Sequence, residues 1–364
     1  MRVLVLLLCI LGPIVLVLNL RGMDKLLSNP KMGKTLLMLA DQPLHSLALF
    51  SSSFGFYLKK ILLPWPLNFT ITEVGSHYVW VGAILLVVSV LLFLSFRALP
   101  VRLFLSGTLF LAPAMPVSLG FIAWTSFAER YAYVALAFIV LAVMVYLGKA
   151  ITVDRFLIPG FVVFTCVLMV FGASTTLRAS LWADDVSFFA DAVAKNPDFY
   201  RVRYAYGNVL LNDFQLLAAE KQYRQAFALQ KDDAADNKFL IYMGILRTWD
   251  KRYWEAKDFF EQAVDNYTGK DLLLAYDKLA WTINKLLLTE DMAFDREPLH
   301  KDLLNVTLQL YELKKDPFLL YRAGQSALAL SRKEEARHYF SEAYARLPAD
   351  SMYRPLARKL MKKL

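Results

Sequence analysis

Long apolar runs dominate the first half of the chain, and amphipathic helical periodicity dominates the second half. A helix needs about 20 mostly apolar residues to cross a bilayer core, and runs of that length recur before residue 178. The pattern predicts five membrane spans: Val3–Leu20, Tyr78–Phe96, Val101–Trp124, Tyr131–Leu147 and Phe156–Ala173. The third run contains Pro113 and Pro116, which predict that its helix kinks or ends early.

A sixth apolar stretch, Pro43–Leu63, is ambiguous. It contains His45, the serine run Ser51–Ser53 and the pair Lys59-Lys60, which are poor side chains for lipid exposure. We therefore expect an interfacial or re-entrant segment, with a full sixth span as the alternative. The apolar start of the chain also resembles a signal peptide, but no small-x-small cleavage site follows it, so an uncleaved anchor is expected.

Basic residues in the short loops predict the orientation. Arg97 and Arg102 lie in one tight connection, and Lys149 and Arg155 lie in another. The positive-inside rule puts both connections in the cytoplasm, so the last span exits on the opposite side. We expect a membrane domain over residues 1–178 and a periplasmic, luminal or extracellular domain over residues 179–364, whether the spans number five or six.

The second half repeats one set of residues at fixed offsets. Small, small, aromatic and small side chains follow one another at 12, 16 and 19 residues after a first glycine. The three sets are Gly207, Ala219, Tyr223 and Ala226; Gly244, Ala256, Phe260 and Ala263; and Gly324, Ala336, Phe340 and Ala343, with Pro348 ending the third unit. This spacing is typical of tetratricopeptide repeats, in which a small residue lets two helices approach and an aromatic side chain fills the gap. The fold class predicted for the whole chain is all-α, a multispanning transmembrane bundle followed by a tetratricopeptide-repeat α-solenoid.

The remaining part of the second half predicts further helices without the full signature. Phe189, Ala192 and Pro197 predict a half-unit directly after the last span, and residues 271–316 predict helices at Asp271–Leu288 and Pro298–Lys314. Basic residues near the end predict the polar face of a capping helix: Arg354, Arg358, Lys359, Lys362 and Lys363. Solenoids of this kind bind extended peptides or helices on their inner face, so a polypeptide partner is expected.

Composition excludes several classes of function. Residues 1–178 carry 13 Lys and Arg against 5 Asp and Glu, whereas residues 179–364 carry 28 against 27. The basic excess therefore belongs to the apolar half, and nucleic-acid binding is not expected. Cys9 and Cys166 lie in apolar runs and His45 and His77 are isolated, so neither a disulfide framework, a metal site nor a cofactor is expected.

An ordered series of local motifs runs through the chain: Ser28-Asn29-Pro30, the run Leu62–Leu67, Pro113 to Pro116, the run Ala128–Tyr133, and Arg178 with Trp182 before the repeats. In this order they resemble the C-terminal half of the transmembrane and tetratricopeptide-repeat O-mannosyltransferase family and its bacterial relatives. The resemblance covers about residues 25–350, and the AERYAY stretch of Ala128–Tyr133 is its most specific element. It implies the multispanning fold of glycosyltransferases that use polyprenyl-phosphate sugars, with repeats that present a polypeptide acceptor.

The resemblance also implies a catalytic carboxylate in the first outward loop. That loop here offers Asp24 and Asp41, neither in the paired acidic arrangement of the family, so no catalytic residue is assigned. An incomplete relative, a truncated product and one half of a split enzyme are all compatible with this departure. The alternative function is a non-enzymatic scaffold, in which the membrane part anchors repeats that recruit a periplasmic or luminal protein.

Glu129 and Arg130 are the sharpest candidates for a site, because ionisable residues at the mouth of a span are costly unless paired or wet. Arg130 would hold a lipid phosphate through paired hydrogen bonds, and Glu129 would orient it. The alternative is a structural ion pair or an interfacial pair. Trp65 is a third candidate for lipid-phosphate or substrate binding, although an interfacial aromatic is the simpler interpretation.

Overall fold

The computed structural model describes residues 30–63, 65, 68–95, 98–120, 123–150, 157–230, 238–289 and 295–364. The predicted span Val3–Leu20 lies outside these residues. The described chain is helical, with an isolated β-bridge between Ile71 and Phe127. It divides into two compact units, Met1–Pro197 and Asp198–Leu364.

The first unit contains the long apolar helices. Its described α-helices are α1 (Pro30–Asp41), α2 (Pro43–Leu62), α3 (His77–Ser95), α4 (Leu99–Leu109), α5 (Tyr133–Ala150), α6 (Leu157–Trp182) and α7 (Asp185–Lys195). Short 3-10 turns cover Ala112–Ala114, Pro116–Leu119 and Glu129–Ala132. Within the described residues, three helical stretches are long and apolar enough to cross a membrane by length and composition: Leu99–Leu119, Glu129–Gly148 and Ile158–Trp182.

Helix α2 covers the stretch Pro43–Leu63, for which we predicted an interfacial or re-entrant segment with a full sixth span as the alternative. It is one continuous helix of 20 residues that packs closely on α3. The crossing uses Gly82, where an added Cβ would overlap the carbonyl of Ser51. Ser51 Oγ donates to the Val79 carbonyl at 2.6 Å, and Ser51–Ser53 are all buried. The serine run therefore lies in a close contact between two helices. The sequence alone does not distinguish such a run from one that faces water.

The prolines after α4 end the α-helix early. Helix α4 stops at Leu109, and Pro113 and Pro116 lie in successive 3-10 turns that end at Gly120 with a left-handed backbone (φ 83°). The predicted span Val101–Trp124 is therefore a short α-helix followed by tighter turns, since proline removes a hydrogen-bond donor from the helix interior.

The first compact unit extends to Pro197, whereas the predicted membrane domain ends at residue 178. Helix α6 continues past its predicted end at Ala173 to Trp182, and α7 packs within the first unit. The ring of Phe188 in α7 lies 4.8 Å from that of Phe69, and Asn196 Nδ2 donates to the Thr70 carbonyl at 2.9 Å. The half-unit predicted around Phe189 and Ala192 thus belongs to the first unit.

The second unit is a row of helical hairpins. Its described helices are α8 (Tyr200–Asn212), α9 (Leu216–Leu229), α10 (Phe239–Trp249), α11 (Tyr253–Asn266), α12 (Gly269–Thr289), α13 (Glu297–Lys314), α14 (Pro317–Ala329), α15 (Lys333–Arg346) and α16 (Tyr353–Lys363). The pairs α8–α9, α10–α11 and α14–α15 carry the repeat signature. The pair α12–α13 lacks it and is longer, with helices of 21 and 18 residues close to the predicted bounds.

Candidate functional site

Polar groups in the first unit gather where α2 ends and the 3-10 turn before α5 begins. Lys60 Nζ donates to Glu129 Oε1 at 2.8 Å, and their side chains are 6% and 20% exposed. The backbone N–H of Asn68 donates to the same carboxylate oxygen at 3.0 Å. Glu129 is thus held by two donors, one from α2 and one from the loop that follows it.

Arg130 lies apart from this ion pair, although the sequence analysis expected Glu129 to orient it. Arg130 Nη2 donates to the Tyr131 hydroxyl at 3.4 Å, and its guanidinium lies 5.0 Å from the centre of the Tyr131 ring. The side chain is exposed. The described ion pair of Glu129 is with Lys60, which lies in the stretch Pro43–Leu63.

A cavity of about 600 Å³ opens beside the Lys60–Glu129 pair. Arg178, in the last turns of α6, supplies a second cation to the lining, and Trp182 lies next to it. The Arg178 guanidinium lies 3.7 Å from the Asp191 carboxylate and 5.8 Å from the centre of the Trp182 ring. The lining thus holds two cations, Lys60 paired with Glu129 and Arg178 beside Asp191, and their N–H groups are donors that suit an anion.

A second, apolar cavity of about 260 Å³ adjoins the same end of α2. Its lining includes Leu58, Leu85 and Phe104, and Ile61 lines both cavities. Trp65 is outside both linings: its ring stacks on Phe171 at 6.0 Å, and its carbonyl accepts a hydrogen bond from Lys59 Nζ.

The glycines of the repeat pattern lie directly against the aromatic rings in the second unit. An added Cβ would lie 2.6 Å from the Phe260 ring at Gly244 and 2.7 Å from the Phe340 ring at Gly324, and at Gly207 it would overlap the Tyr223 ring. The three rings are at most 1% exposed.

The small residues of the second helices are fully buried as well: Ala219, Ala226, Ala256, Ala263, Ala336 and Ala343. Pro348 follows the end of α15 and is exposed.

The three signature hairpins also turn in the same way. Phe214, Lys251 and Ser331 each lie seven residues after the glycine and have a left-handed backbone, with φ of 60°, 59° and 59°. A bulky side chain is uncommon in this conformation, because Cβ crowds the backbone. The shared geometry shows that one hairpin design is used three times.

Arg247 joins the first signature hairpin to the second. From α10, its Nη1 and Nη2 donate to the two carboxylate oxygens of Glu220 in α9 at 2.9 and 3.0 Å, and its Nε lies 3.1 Å from Glu255. These hydrogen bonds from Arg247 lower the pKa of Glu220 below its ordinary value. The rings of Tyr204 in α8 and Tyr242 in α10 lie 5.0 Å apart, so the first helices of these hairpins are neighbours.

Repeated hairpins with a glycine–aromatic contact define Asp198–Leu364 as a tetratricopeptide-type helical repeat. Two solved structures similar to the chain are tetratricopeptide proteins. YrrB, described as a TPR protein with an unusual peptide-binding site, is 20% identical with a TM-score of 0.36 over 48% of this chain and 84% of that one. A tetratricopeptide repeat protein from Parabacteroides merdae is 14% identical with a TM-score of 0.23 over 70% and 98%.

Both TM-scores are low, so the repeat assignment depends on the spacing and the hairpin packing. No family model matches the sequence, and no curated protein matches it. Within the described part of the chain, no three His, Cys, Asp or Glu side chains are grouped as a metal site would require.

Proposed function

We propose that this chain is an integral membrane protein whose tetratricopeptide repeats bind a polypeptide on the side of the membrane opposite the cytoplasm. The observation that carries the proposal is the row of signature hairpins in Asp198–Leu364, since stacked hairpins create an extended inner surface. Tyr204 and Tyr242 support this arrangement, because their ring contact joins the first helices of adjacent hairpins.

The membrane part of the proposal is supported by helix α6. None of the 18-residue apolar window of Ile158–Trp182 is buried by the described chain, and Ile158, Phe161 and Leu177 are 76%, 68% and 73% exposed. An apolar surface of this extent on a helix is typical of a segment whose solvent is lipid. The proposed orientation follows from the basic short loops, which we assign to the cytoplasm.

Peptide binding can be tested with the full chain in nanodiscs. Random-sequence peptides displayed on yeast are selected for binding, and the position of an enriched peptide is mapped by amide hydrogen exchange. We expect protection to concentrate on the first helices of the signature hairpins, α8, α10 and α14. Protection confined to the second helices α9, α11 and α15, or failure to enrich any peptide, would contradict polypeptide binding by the repeats.

A matched pair of variants separates the two faces of one hairpin. Gln325 in α14 and His338 in α15 are both exposed, one on a first helix and one on a second helix. Gln325→Arg should weaken the selected peptide, because a long cation would occupy the proposed inner surface. His338→Arg should leave binding unchanged.

A second function, the glycosyltransferase-like one, is favoured by the two cavities at the end of α2. We propose that the cavity beside Lys60 and Arg178 binds the phosphate of a polyprenyl-phosphate sugar, and that the apolar cavity receives part of the isoprenoid chain. The supporting observations are the cations Lys60 and Arg178 in the lining of the first cavity, the apolar lining of the second and the shared position of Ile61. An amphiphile suits such a pair of cavities, since each part meets a lining of matching polarity.

Binding of a short isoprenyl phosphate to the purified chain in detergent tests this second function. Arg178→Gln should weaken binding about tenfold or more, because a charge-assisted hydrogen bond to phosphate is lost. Arg130→Gln is the matched control, since Arg130 lies outside the lining. The parent isoprenol, which lacks phosphate, should bind both variants alike. Equal effects of the two substitutions on isoprenyl-phosphate binding would reject the cavity as the phosphate site. If the wild type does not bind the isoprenyl phosphate at all, the alternative function, a non-enzymatic membrane-anchored scaffold, is favoured.

A further inference from the structure

The turn of the first signature hairpin carries an exposed apolar tip. Phe214 is 74% exposed at the turn between α8 and α9, and Leu217, at the start of α9, is 87% exposed. The Phe214 ring contacts the ring of Trp249, itself 43% exposed, at 5.3 Å between centroids. We call Phe214, Leu217 and Trp249 the turn patch.

The turn patch is unfavourable to the isolated repeat unit in two ways. Its apolar side chains face water, and Phe214 has the left-handed backbone (φ 60°) that bulky residues rarely adopt. A residue in such a conformation is a reason to look for a function, because a small or polar residue would be more stable there. The equivalent residue of the third signature hairpin is Ser331, with almost the same φ of 59°.

At equivalent positions of the turn, the residues become less apolar from the first signature hairpin to the third. Seven and ten residues after the repeat glycine lie Phe214 and Leu217 in the first signature hairpin, Lys251 and Trp254 in the second, and Ser331 and Glu334 in the third. The gradient begins at the hairpin that follows the apolar helix α6 most closely in sequence. Because this turn follows the proposed membrane anchor most closely along the chain, the gradient favours the bilayer as the partner of the turn patch.

We infer that the turn patch inserts into the interfacial region of the lipid bilayer and fixes the first hairpin of the repeats at the membrane surface. The inference rests on the membrane part of the proposed function. Three features favour lipid over a polypeptide: the side chains protrude instead of lining a groove, tryptophan and phenylalanine suit the water–lipid interface, and a tethered patch meets the bilayer at high effective concentration.

The test uses the full chain in nanodiscs of phosphatidylcholine and phosphatidylglycerol, with a spin label at one cysteine at a time. Labels at Gln215→Cys and Arg332→Cys, in a Cys9→Ala, Cys166→Ala background, report the turns of the first and third signature hairpins. The third label is on the native Cys166, which is exposed on α6, with Cys9 replaced by alanine. The measurement is collision with oxygen, which concentrates in lipid, relative to collision with a water-soluble nickel chelate.

We expect the ratio to shift toward oxygen at residue 215 and to remain water-like at residue 332. Phe214→Ser with Leu217→Glu gives the first turn the residues of the third, and it should return residue 215 to the water-like value. Because Ser331 already adopts this turn, the double variant is compatible with the hairpin fold, and circular dichroism checks that it is retained.

The label at Cys166 distinguishes the possible failures. If Cys166 is in lipid while residue 215 is as wet as residue 332, the inference is overturned and the membrane proposal stands, leaving a protein as the partner of the patch. If Cys166 is itself in water, the membrane proposal fails and the inference fails with it.

Discussion

Replacing Gly244 with alanine is the most direct test of how the repeat hairpins are held together. The new methyl group would lie 2.6 Å from Cε1, 2.7 Å from Cζ and 2.8 Å from Cδ1 of Phe260. Carbon atoms in contact prefer about 3.5–4.0 Å, so the two helices or the ring must move. The ring has little freedom to do so, because Phe260 is 1% exposed and belongs to the main core of the repeat unit.

Two opposing effects determine how much Gly244→Ala changes the free energy of unfolding. Alanine is more favourable than glycine inside a helix by about 1 kcal/mol. Overpacking of a close contact costs about 1–3 kcal/mol, and the ring against Gly244 is buried on all sides. Because the buried ring cannot move away, we expect a cost in the upper part of this range, about 2–3 kcal/mol. Subtracting the gain in helix propensity leaves a net loss of about 1–2 kcal/mol in the free energy of unfolding, which for a unit of this size lowers Tm by roughly 2–4 °C per kcal/mol.

Amide hydrogen exchange of the full chain in detergent measures the change locally, since α10 and α11 report the free energy of opening this hairpin. Phe260→Leu is the control that separates overpacking from a loss of helix geometry. Combined with Gly244→Ala it should cost less than the sum of the two single changes, because the smaller side chain leaves room for the methyl group. Unchanged or increased protection in Gly244→Ala alone would refute the close-contact account of the repeats.

Further predictions concern both units. Gly82→Ala should lower the thermal stability of the first unit, because its methyl group would overlap the Ser51 carbonyl, whereas Gly148→Ala should not, because nothing lies within 4 Å of its Cβ position. The pKa of Glu220 is lowered by Arg247 from the ordinary 4.5, so the stability that this carboxylate contributes is complete above that pH and is lost as the pH falls through the lowered value. Glu220→Gln should therefore make amide hydrogen exchange in α9 less dependent on acid pH. Cysteines at Asp265 and Ala150 should react with an impermeant maleimide from opposite sides of the membrane, and labelling from one side only would contradict the proposed topology.

The repeats could be predicted from the sequence because their key contacts are close along the chain. Each glycine meets an aromatic ring 16 residues later, within one hairpin, so a fixed offset in the sequence corresponds to a contact in space. The hairpin α12–α13 was predicted by periodicity alone and begins and ends within a few residues of its predicted bounds. Contacts between residues close along the chain were therefore sufficient to predict the signature hairpins and the hairpin α12–α13.

The polar cavity could not be predicted in this way. Lys60 and Glu129 are 69 residues apart, and no spacing rule connects the end of α2 to the turn before α5. Arg130 was favoured as an ionisable residue at the mouth of a predicted span; it lies outside the lining of this cavity, because adjacent residues in a 3-10 turn point in different directions. The signal that could have helped is the positive charge of Lys60 in a stretch otherwise suited to burial.

The length of α6 was missed for a different reason. Hydropathy falls at Ser174–Thr176, which suggested that the last span ends at Ala173. In the structure, the Thr175 and Thr176 hydroxyls donate to the carbonyls of Phe171 and Gly172, one helical turn earlier, at 2.8 and 3.0 Å. Hydroxyls satisfied by their own helix do not require water, so the helix continues to Trp182.

The geometry of Glu129 bears on which of the two proposed functions the cavity serves. A general base must offer a free lone pair to the proton that it removes. Glu129 Oε1 accepts hydrogen bonds from the Lys60 ammonium and the Asn68 amide, which leaves Oε2 as the oxygen open to a proton. This arrangement suits a carboxylate that fixes the position of Lys60 beside the cavity, where the ammonium and Arg178 can meet an anion.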